Sequence, residues 1–250
     1  MKTKASRKRL DLLLVERGLA QSTQKALAMI LAGEVQVNGQ RAVAAGAEVA
    51  TDARIALNSR AQKFASRGGT KLEGALEDFS LDVRGRMCLD VGSSTGGFTD
   101  CLLQRGAARV YAVDVNMTQL AWELQQDARV IRIERNARKL LPADVPELVD
   151  LVVVDVSFIS AGKVLAPAMA CARPGADAIV LVKPQFELRH AEVAEGGVVT
   201  DRALHEKAIQ HVREAGAHAS LQWLDMRPSK LTGAEGNQEY FLHARKKAQE

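Results

Sequence analysis

From residue 64 onward, short apolar runs recur at intervals that leave room for a helix between most of them. The runs are MCLDVG (87–92), RVYAVD (109–114), ARVIRI (128–133), DLVVVD (150–155), DAIVLVK (177–183), ASLQWLDM (219–226) and EYFLHA (239–244). Several are almost continuously apolar, the pattern of parallel strands covered on both faces. Helical spacing fits the intervening segments at about 70–78, 97–105, 117–126, 161–173 and 201–216. Alternation of this kind predicts a doubly wound, Rossmann-like α/β sheet. It also predicts where chemistry belongs, because ligands of such sheets collect outside the carboxyl ends of the strands.

The segment LDVGSSTGGFTD, Leu89 to Asp100, falls at the first of those ends. Asp90 closes the strand and Gly92 allows the turn. Gly96 and Gly97 are expected to let backbone approach a ligand at the start of the next helix. Asp114 ends the second strand 22 residues beyond Gly92, where a carboxylate can accept hydrogen bonds from both ribose hydroxyls. A glycine loop with that acid indicates an adenosine-containing cofactor. A dinucleotide site would show G-x-G-x-x-G for the pyrophosphate, whereas this loop reads G-S-S-T-G-G with an acid two residues before it. S-adenosylmethionine has no phosphate and carries a sulfonium and an ammonium, so an acid at the loop mouth suits it better.

The remaining strand ends indicate the acceptor. The fourth run ends at Asp155 in DVSFIS and the fifth at Lys183 in LVKPQFE, where Pro184 stops the ladder. Transfer to an exocyclic base nitrogen calls for an Asn/Asp-Pro-Pro-aromatic loop, which is absent. An acid and a base side by side suit a hydroxyl, whose proton must be oriented and removed late. The competing reading of Lys183 is a structural ion pair with Asp155. Neighbouring cations would depress its pKa and Asp155 would raise it, so the sign of the shift is open at this level.

The first quarter of the chain differs. Residues 1–63 hold 11 Lys+Arg against 5 Asp+Glu, so all of the net charge of +4 originates there. Such asymmetry suits a basic module that meets a polyanion. RLDLLLVERG spaces Leu10, Leu13 and Leu14 at helical intervals and stops at Gly18. Ser22 is a plausible N-cap for STQKALAMILAG, with Ala26, Met29 and Ile30 on one face. EVQVNGQRA then alternates around the turn signal Asn38-Gly39, and a further extended segment lies at Arg54 to Leu57. These residues resemble the S4 RNA-binding domain, with its pattern RLDxxLxxxGxxxSRxxAxxxIxxGxVxVNG. They depart from it at Thr23-Gln24, where the family usually offers an arginine. The resemblance implies Arg7, Arg9, Lys25 and Arg41 as RNA contacts, with Arg67 beyond them.

SRGGTKLEGAL, LDVGSSTGGFTD, DVSFIS, LVKPQFE and GNQEYFL are similar, in order and spacing, to the TlyA family of ribosomal RNA 2′-O-methyltransferases, whose bodies resemble FtsJ/RrmJ. The resemblance runs from about residue 7 to residue 244. It implies an S4-like domain over 1–62, a linker over 63–69 and a methyltransferase domain over 70–250. It further implies a Lys-Asp-Lys-Glu tetrad of Lys71, Asp155, Lys183 and Glu239 around the acceptor ribose. Lys183 is then the group that orients and deprotonates the hydroxyl. The expected cofactor-binding set is Asp90, Gly92, Ser94, Thr95, Gly96, Gly97, Phe98, Asp114, Asn136 and Asp155. The implied partner is ribosomal RNA in a subunit or a 70S ribosome, and the implied acceptor a cytidine. The short N-terminal extension and the end soon after the last strand favour 23S over 16S rRNA.

Other classes receive less support. The family also carries the name hemolysin, but no window approaches the ~20 apolar residues of a membrane span. The basic head leads only into a short apolar run broken by Asp11 and Glu16. An RNA-binding assembly factor with a dead body conflicts with the intact tetrad and loop. Cys88, Cys101 and Cys171 sit among apolar neighbours without metal-ligand spacing, and Glu187, His190 and His205 match no metal site. A cytoplasmic, metal-free monomer is expected. Phe64 is read as an anchor for the linker, and QFELRHAEVAEGGVVT as either a mobile lid or a plain surface loop.

Overall fold

The computed structural model describes residues 6–20, 22–31, 33–42, 44, 46–57, 63–233 and 236–248, apart from the side chain of Arg41. The chain divides into two compact units, Met1–Gln62 and Lys63–Glu250.

The first unit runs β1 (Arg7–Arg9), α1 (Leu10–Glu16), α2 (Thr23–Leu31), β2 (Val35–Val37), β3 (Gln40–Arg41), β4 (Glu48–Ala50) and β5 (Ile55–Leu57). Its core is small: Leu10 and Leu14 of α1 and Ala26 and Ile30 of α2 close over Val35. Ser22 Oγ accepts the Lys25 N–H at 3.1 Å and caps α2. Asn38 and Gly39 both take positive φ, 52° and 82°, which turns β2 into β3 as a tight hairpin. β5 pairs with the other edge of β2. A separate β1–β4 ribbon was not expected from the sequence.

The second unit begins with α3 (Arg67–Asp78), β6 (Met87–Val91), α4 (Gly97–Gln104), β7 (Arg109–Asp114), α5 (Trp122–Gln126), β8 (Val130–Glu134) and β9 (Val149–Val154). It continues with α6 (Gly162–Ala170), β10 (Ala172–Val182), α7 (Pro184–Glu187), α8 (Arg202–Ala217), β11 (Leu221–Pro228) and β12 (Tyr240–Lys246). The seven strands form one sheet in the order β11-β12-β10-β9-β6-β7-β8. β8, β7, β6, β9 and β10 are parallel, and β12 is antiparallel to both β10 and β11. Alternate residues of the central strands feed two cores. Leu89, Val91, Val152 and Val154 join α6 and α8 on one face, whereas Cys88, Leu151, Val153 and Ile179 join α3 and α4 on the other. Strand order reverses at β6, between β7 and β9, so the crevice for a ligand opens there.

Three expectations change. The helix expected over 117–126 is broken into a 3₁₀ turn, Met117–Gln119, and α5, because Leu120 and Ala121 are extended and the Ala121 N–H is drawn to Thr95 O at 3.1 Å. The 161–173 helix stops at Ala170, and β10 starts at Ala172 rather than 177. Residues 63–69 belong to the second unit rather than standing apart from it. Phe64 is buried in its core, Ala65 N–H donates to Asp100 Oδ2 at 2.7 Å, and Arg67 to Gly69 are the first turn of α3.

Candidate active site

A cleft of about 410 Å³ opens at the carboxyl ends of β6, β7 and β9. Of the residues read as cofactor-binding, Gly92, Ser94, Asp114, Asn136 and Asp155 line it. The loop after β6 is held by its own amides, since Gly92 N–H and Ser93 N–H both donate to Val113 O, at 2.9 and 3.1 Å. Ser94, with φ of 48°, donates its N–H to Asp114 Oδ2 at 2.9 Å. Asn136 Oδ1 accepts the Arg138 N–H at 3.0 Å, which caps a short turn.

Other members of that set lie outside the cleft lining. Packing alone requires glycine at Gly96 and Gly97. A Cβ on Gly96 would sit 2.3 Å from Leu124 Cδ1, and one on Gly97 would sit 2.1 Å from Ser66 Oγ. Phe98 is buried and packs on Phe241, with ring centroids 6.3 Å apart. Thr95 contributes its carbonyl to the break before α5. Asp90 lies beneath the loop, fully buried, with Oδ2 accepting the Thr99 hydroxyl at 2.6 Å and Oδ1 without a partner. Burial pushes its carboxyl up to about 7; the Thr99 hydroxyl opposes that shift, and the charges of Asp155 and Asp114 add to it.

The four tetrad residues meet as two pairs. Lys183 Nζ lies 2.6 Å from Asp155 Oδ1, a close ion pair that lacks the angle of an aligned hydrogen bond, and it donates to Ser157 Oγ at 2.9 Å. Asp155 N–H donates to Val91 O, which fixes the acid at the switch point. Lys71 on α3 pairs with Glu239 across 168 residues, and both side chains are almost fully buried. Tyr240 stands opposite Val182 in the β10–β12 ladder, so one further step sets Glu239 beside Lys183 at the same sheet edge. Burying charges demands pairing, and both lysines have it.

Sequence reasoning missed two groups beside this edge. Ser157 and Phe158 sit in the motif from which only Asp155 was drawn. Phe158 lines the cleft, is 88% exposed and holds φ of 65°, a strained conformation for a bulky residue. Its ring lies 5.3 Å from that of Phe186 at a tilt of 46°, and Lys183 Nζ lies 6.0 Å from the Phe186 centroid. Arg135 and Arg138 line the opposite wall.

Elsewhere, Arg7 donates to Glu48 O at 2.6 Å, and Arg9 makes a two-bond fork on Asp11. Lys25 and Arg67 are exposed, and the Arg41 side chain lies outside the described residues. His205 is engaged by Tyr240 and Val199, and Glu187 Oε1 accepts the Ala161 N–H at 2.7 Å. Among the described residues no three His, Cys, Asp or Glu side chains gather as a metal site. The cysteines are buried free thiols, and burial pushes Cys88 and Cys101 up to about 12 and Cys171 up to about 11.

Comparison with known proteins identifies the family. Residues 8–55 match the S4 domain family and residues 64–246 the FtsJ-like methyltransferases, so fold and site define a methyltransferase behind an S4 module. The chain is 46% identical over 243 residues to the 16S/23S rRNA (cytidine-2′-O)-methyltransferase TlyA of Mycobacterium tuberculosis, covering 96% of this chain and 91% of that one. It is 34% identical to the 23S rRNA (cytidine-2′-O)-methyltransferase TlyA of Campylobacter jejuni, over 76% and 74% of the two chains. A solved structure of a candidate hemolysin from Streptococcus thermophilus superposes with a TM-score of 0.75 at 35% identity, over 98% and 90% of the two chains. The chain belongs to the FtsJ-like methyltransferases and, within them, to the TlyA family.

Proposed function

We propose that this methyltransferase uses S-adenosylmethionine to methylate the ribose 2′-hydroxyl of a cytidine in 23S ribosomal RNA, as part of a ribosomal subunit or ribosome. The carrying observation is the Lys183–Asp155 pair, 2.6 Å apart on the rim of the cleft. Both relatives compared above carry 23S rRNA and cytidine 2′-O-methylation in their names.

The chemistry of the donors suits the cofactor. Val113, Val115 and Ile159 give the cleft apolar walls, and Asp114 offers a carboxylate at its mouth. The unpartnered Oδ1 of Asp90 is a buried acceptor beneath the loop, the kind of group that a nearby cation would satisfy. Asp114 would hold the ribose hydroxyls, with Ser94 and Asn136 beside them. When bound, S-adenosylmethionine supplies an electrophilic methyl group on a positively charged sulfur.

The protein's part is positioning and charge. Lys183, anchored by Asp155 and Ser157, donates a hydrogen bond to the 2′-oxygen and stabilises the negative charge that grows there. The hydroxyl proton leaves late, as the O–C bond forms and the cofactor's S–C bond would break, and is taken up by the Lys183–Asp155 pair. Lys71 and Glu239 close the far side of the acceptor pocket. Phe158 offers an exposed ring for a base turned out of its stack, a contact worth about 1–3 kcal/mol. Lys25 and Arg67 are exposed cations available to phosphates.

A lytic function rests on the hemolysin name alone, and among the described residues no helix is long and apolar enough to cross a membrane. The direct test incubates purified protein with methyl-labelled S-adenosylmethionine and ribosomal subunits, then digests the RNA to nucleosides. Label in 2′-O-methylcytidine supports the proposal. Label in a base, or no transfer to either subunit or to 70S ribosomes, opposes it.

A further inference from the structure

Two side chains flanking Glu239 capture both backbone groups of a single residue, Val199, in the segment read as a lid or loop. Asn237, fully buried two residues before Glu239, accepts the Val199 N–H on Oδ1 at 2.8 Å. Its Nδ2 donates to Gly197 O, also at 2.8 Å. Tyr240, the residue after Glu239, bonds through its hydroxyl to His205 Nδ1 at 2.8 Å, while His205 Nε2 lies 2.7 Å from Val199 O. A carbonyl only accepts, so Nε2 carries the proton and Nδ1 accepts from Tyr240.

The same segment is fixed at its other end. His211 Nδ1 is 3.1 Å from Glu187 O, at the end of the short helix that follows Lys183, and Glu192 pairs with Lys207. The stretch from Lys183 to α8 is therefore tied to the strand start that carries Glu239. That start is tightly packed, since Ser229 N–H donates to Glu239 O at 2.8 Å and Gly233 N–H to Asn237 O at 2.8 Å. A lid that lifts would break three bonds at Val199 and Gly197 at once, one of them buried.

We infer that Asn237 and the His205–Tyr240 pair are positioning residues: through Val199 they hold Glu239, and with it Lys71, in register with Lys183 at the acceptor pocket. The inference rests on the reading of Glu239 as part of that pocket. Displacing a reacting partner by about 1 Å costs about a hundredfold in rate, so loss of the staple is felt in turnover rather than in binding.

The test is a double-mutant cycle between Asn237→Ala and Glu239→Gln, read as kcat and KM for ribosomal RNA alongside cofactor affinity by calorimetry. Asn237→Ala is expected to lower kcat about tenfold or more, with KM and cofactor Kd within about twofold. In the Glu239→Gln background the same substitution is expected to add little, because its route is gone. An unchanged kcat, or the same fold-loss in both backgrounds, overturns the inference. If Asn237→Ala does not fold, Tyr240→Phe removes one oxygen, keeps the ring and is read by the same cycle. Full activity of Glu239→Gln alone would instead count against the reading of the acceptor pocket.

Discussion

Asp90 and Asp177 belong to the same sheet and both are out of water, yet their surroundings are opposite. Asp177, on β10 toward the amino ends of the parallel strands, is met by Arg86 at 2.8 Å, His243 at 3.0 Å and Arg245 at 3.2 Å. Burial alone would raise its carboxyl, but those three partners outweigh it and hold the group down at about 2. Asp90, toward the carboxyl ends, has one hydroxyl donor and an oxygen with none, and burial pushes it up to about 7. The end of the sheet that holds the fold together satisfies its carboxylate in full. The end that faces the cleft leaves one oxygen of its buried carboxyl without a partner among the described residues. Unsatisfied polar groups cost stability, so they persist where a ligand repays them.

The largest effect expected from breaking this contrast is at Asp177. Asp177→Ala removes the common partner of Arg86, Arg245 and the buried His243, and should cost about 3 kcal/mol in urea unfolding. The figure is at the low end because Arg245 is half exposed and reaches water once released. Cofactor affinity should not change. In the wild type, Asp177's contribution is present above about pH 4 and is lost as the pH falls toward about 2, so the variant should lack that acid step.

Asp90→Asn should act in the opposite direction. A carboxyl raised to about 7 favours the folded state only while protonated, so its cost appears as the pH rises from about 4 to 7 and levels off above. The ligand-free variant should therefore gain stability on the order of 4 kcal/mol near pH 8 and almost nothing near pH 4. The same substitution should weaken S-adenosylmethionine binding in calorimetry and flatten its improvement between about pH 6 and 8. Equal loss of stability and affinity would show Asp90 to be an ordinary core residue.

Gly233→Ala should produce the smallest change in stability. A Cβ there falls 2.7 Å from Glu239 Oε1, the end of a side chain rather than backbone, so the carboxylate must shift against Lys71 while the backbone is spared. Stability should stay within about 1 kcal/mol of wild type while kcat falls about tenfold. Retained kcat would mean that the Glu239 carboxylate tolerates displacement.

The sheet was legible because continuous apolar runs such as DLVVVD and DAIVLV have few other uses. What escaped depended on contacts far apart in the chain. Asp177 meets Arg86 across 91 residues and His243 across 66, and no local pattern announces either. The break before α5 is imposed by Thr95 O, and strand β1 reads RKR, with no apolar alternation to mark it. Lys71, Asp155, Lys183 and Glu239 were visible as motif members. Their arrangement as two pairs required the sheet, because Lys71 and Glu239 are 168 residues apart. At Gly96 and Gly97 the structure adds a demand that the sequence did not show, close packing against Leu124 and Ser66. The exposure and strained φ of Phe158 had no signal in DVSFIS.

The central claim is that the Lys183–Asp155 pair serves methyl transfer to a ribose hydroxyl rather than merely holding the sheet edge. The most direct measurement is 2′-O-methylation mapped along ribosomal RNA in cells lacking this gene and complemented with the wild type or with Lys183→Ala, both proteins expressed and binding cofactor equally. The account predicts one 2′-O-methylcytidine in 23S rRNA that the wild type restores and Lys183→Ala does not. Restoration by Lys183→Ala, or no difference between cells with and without the gene, would contradict it.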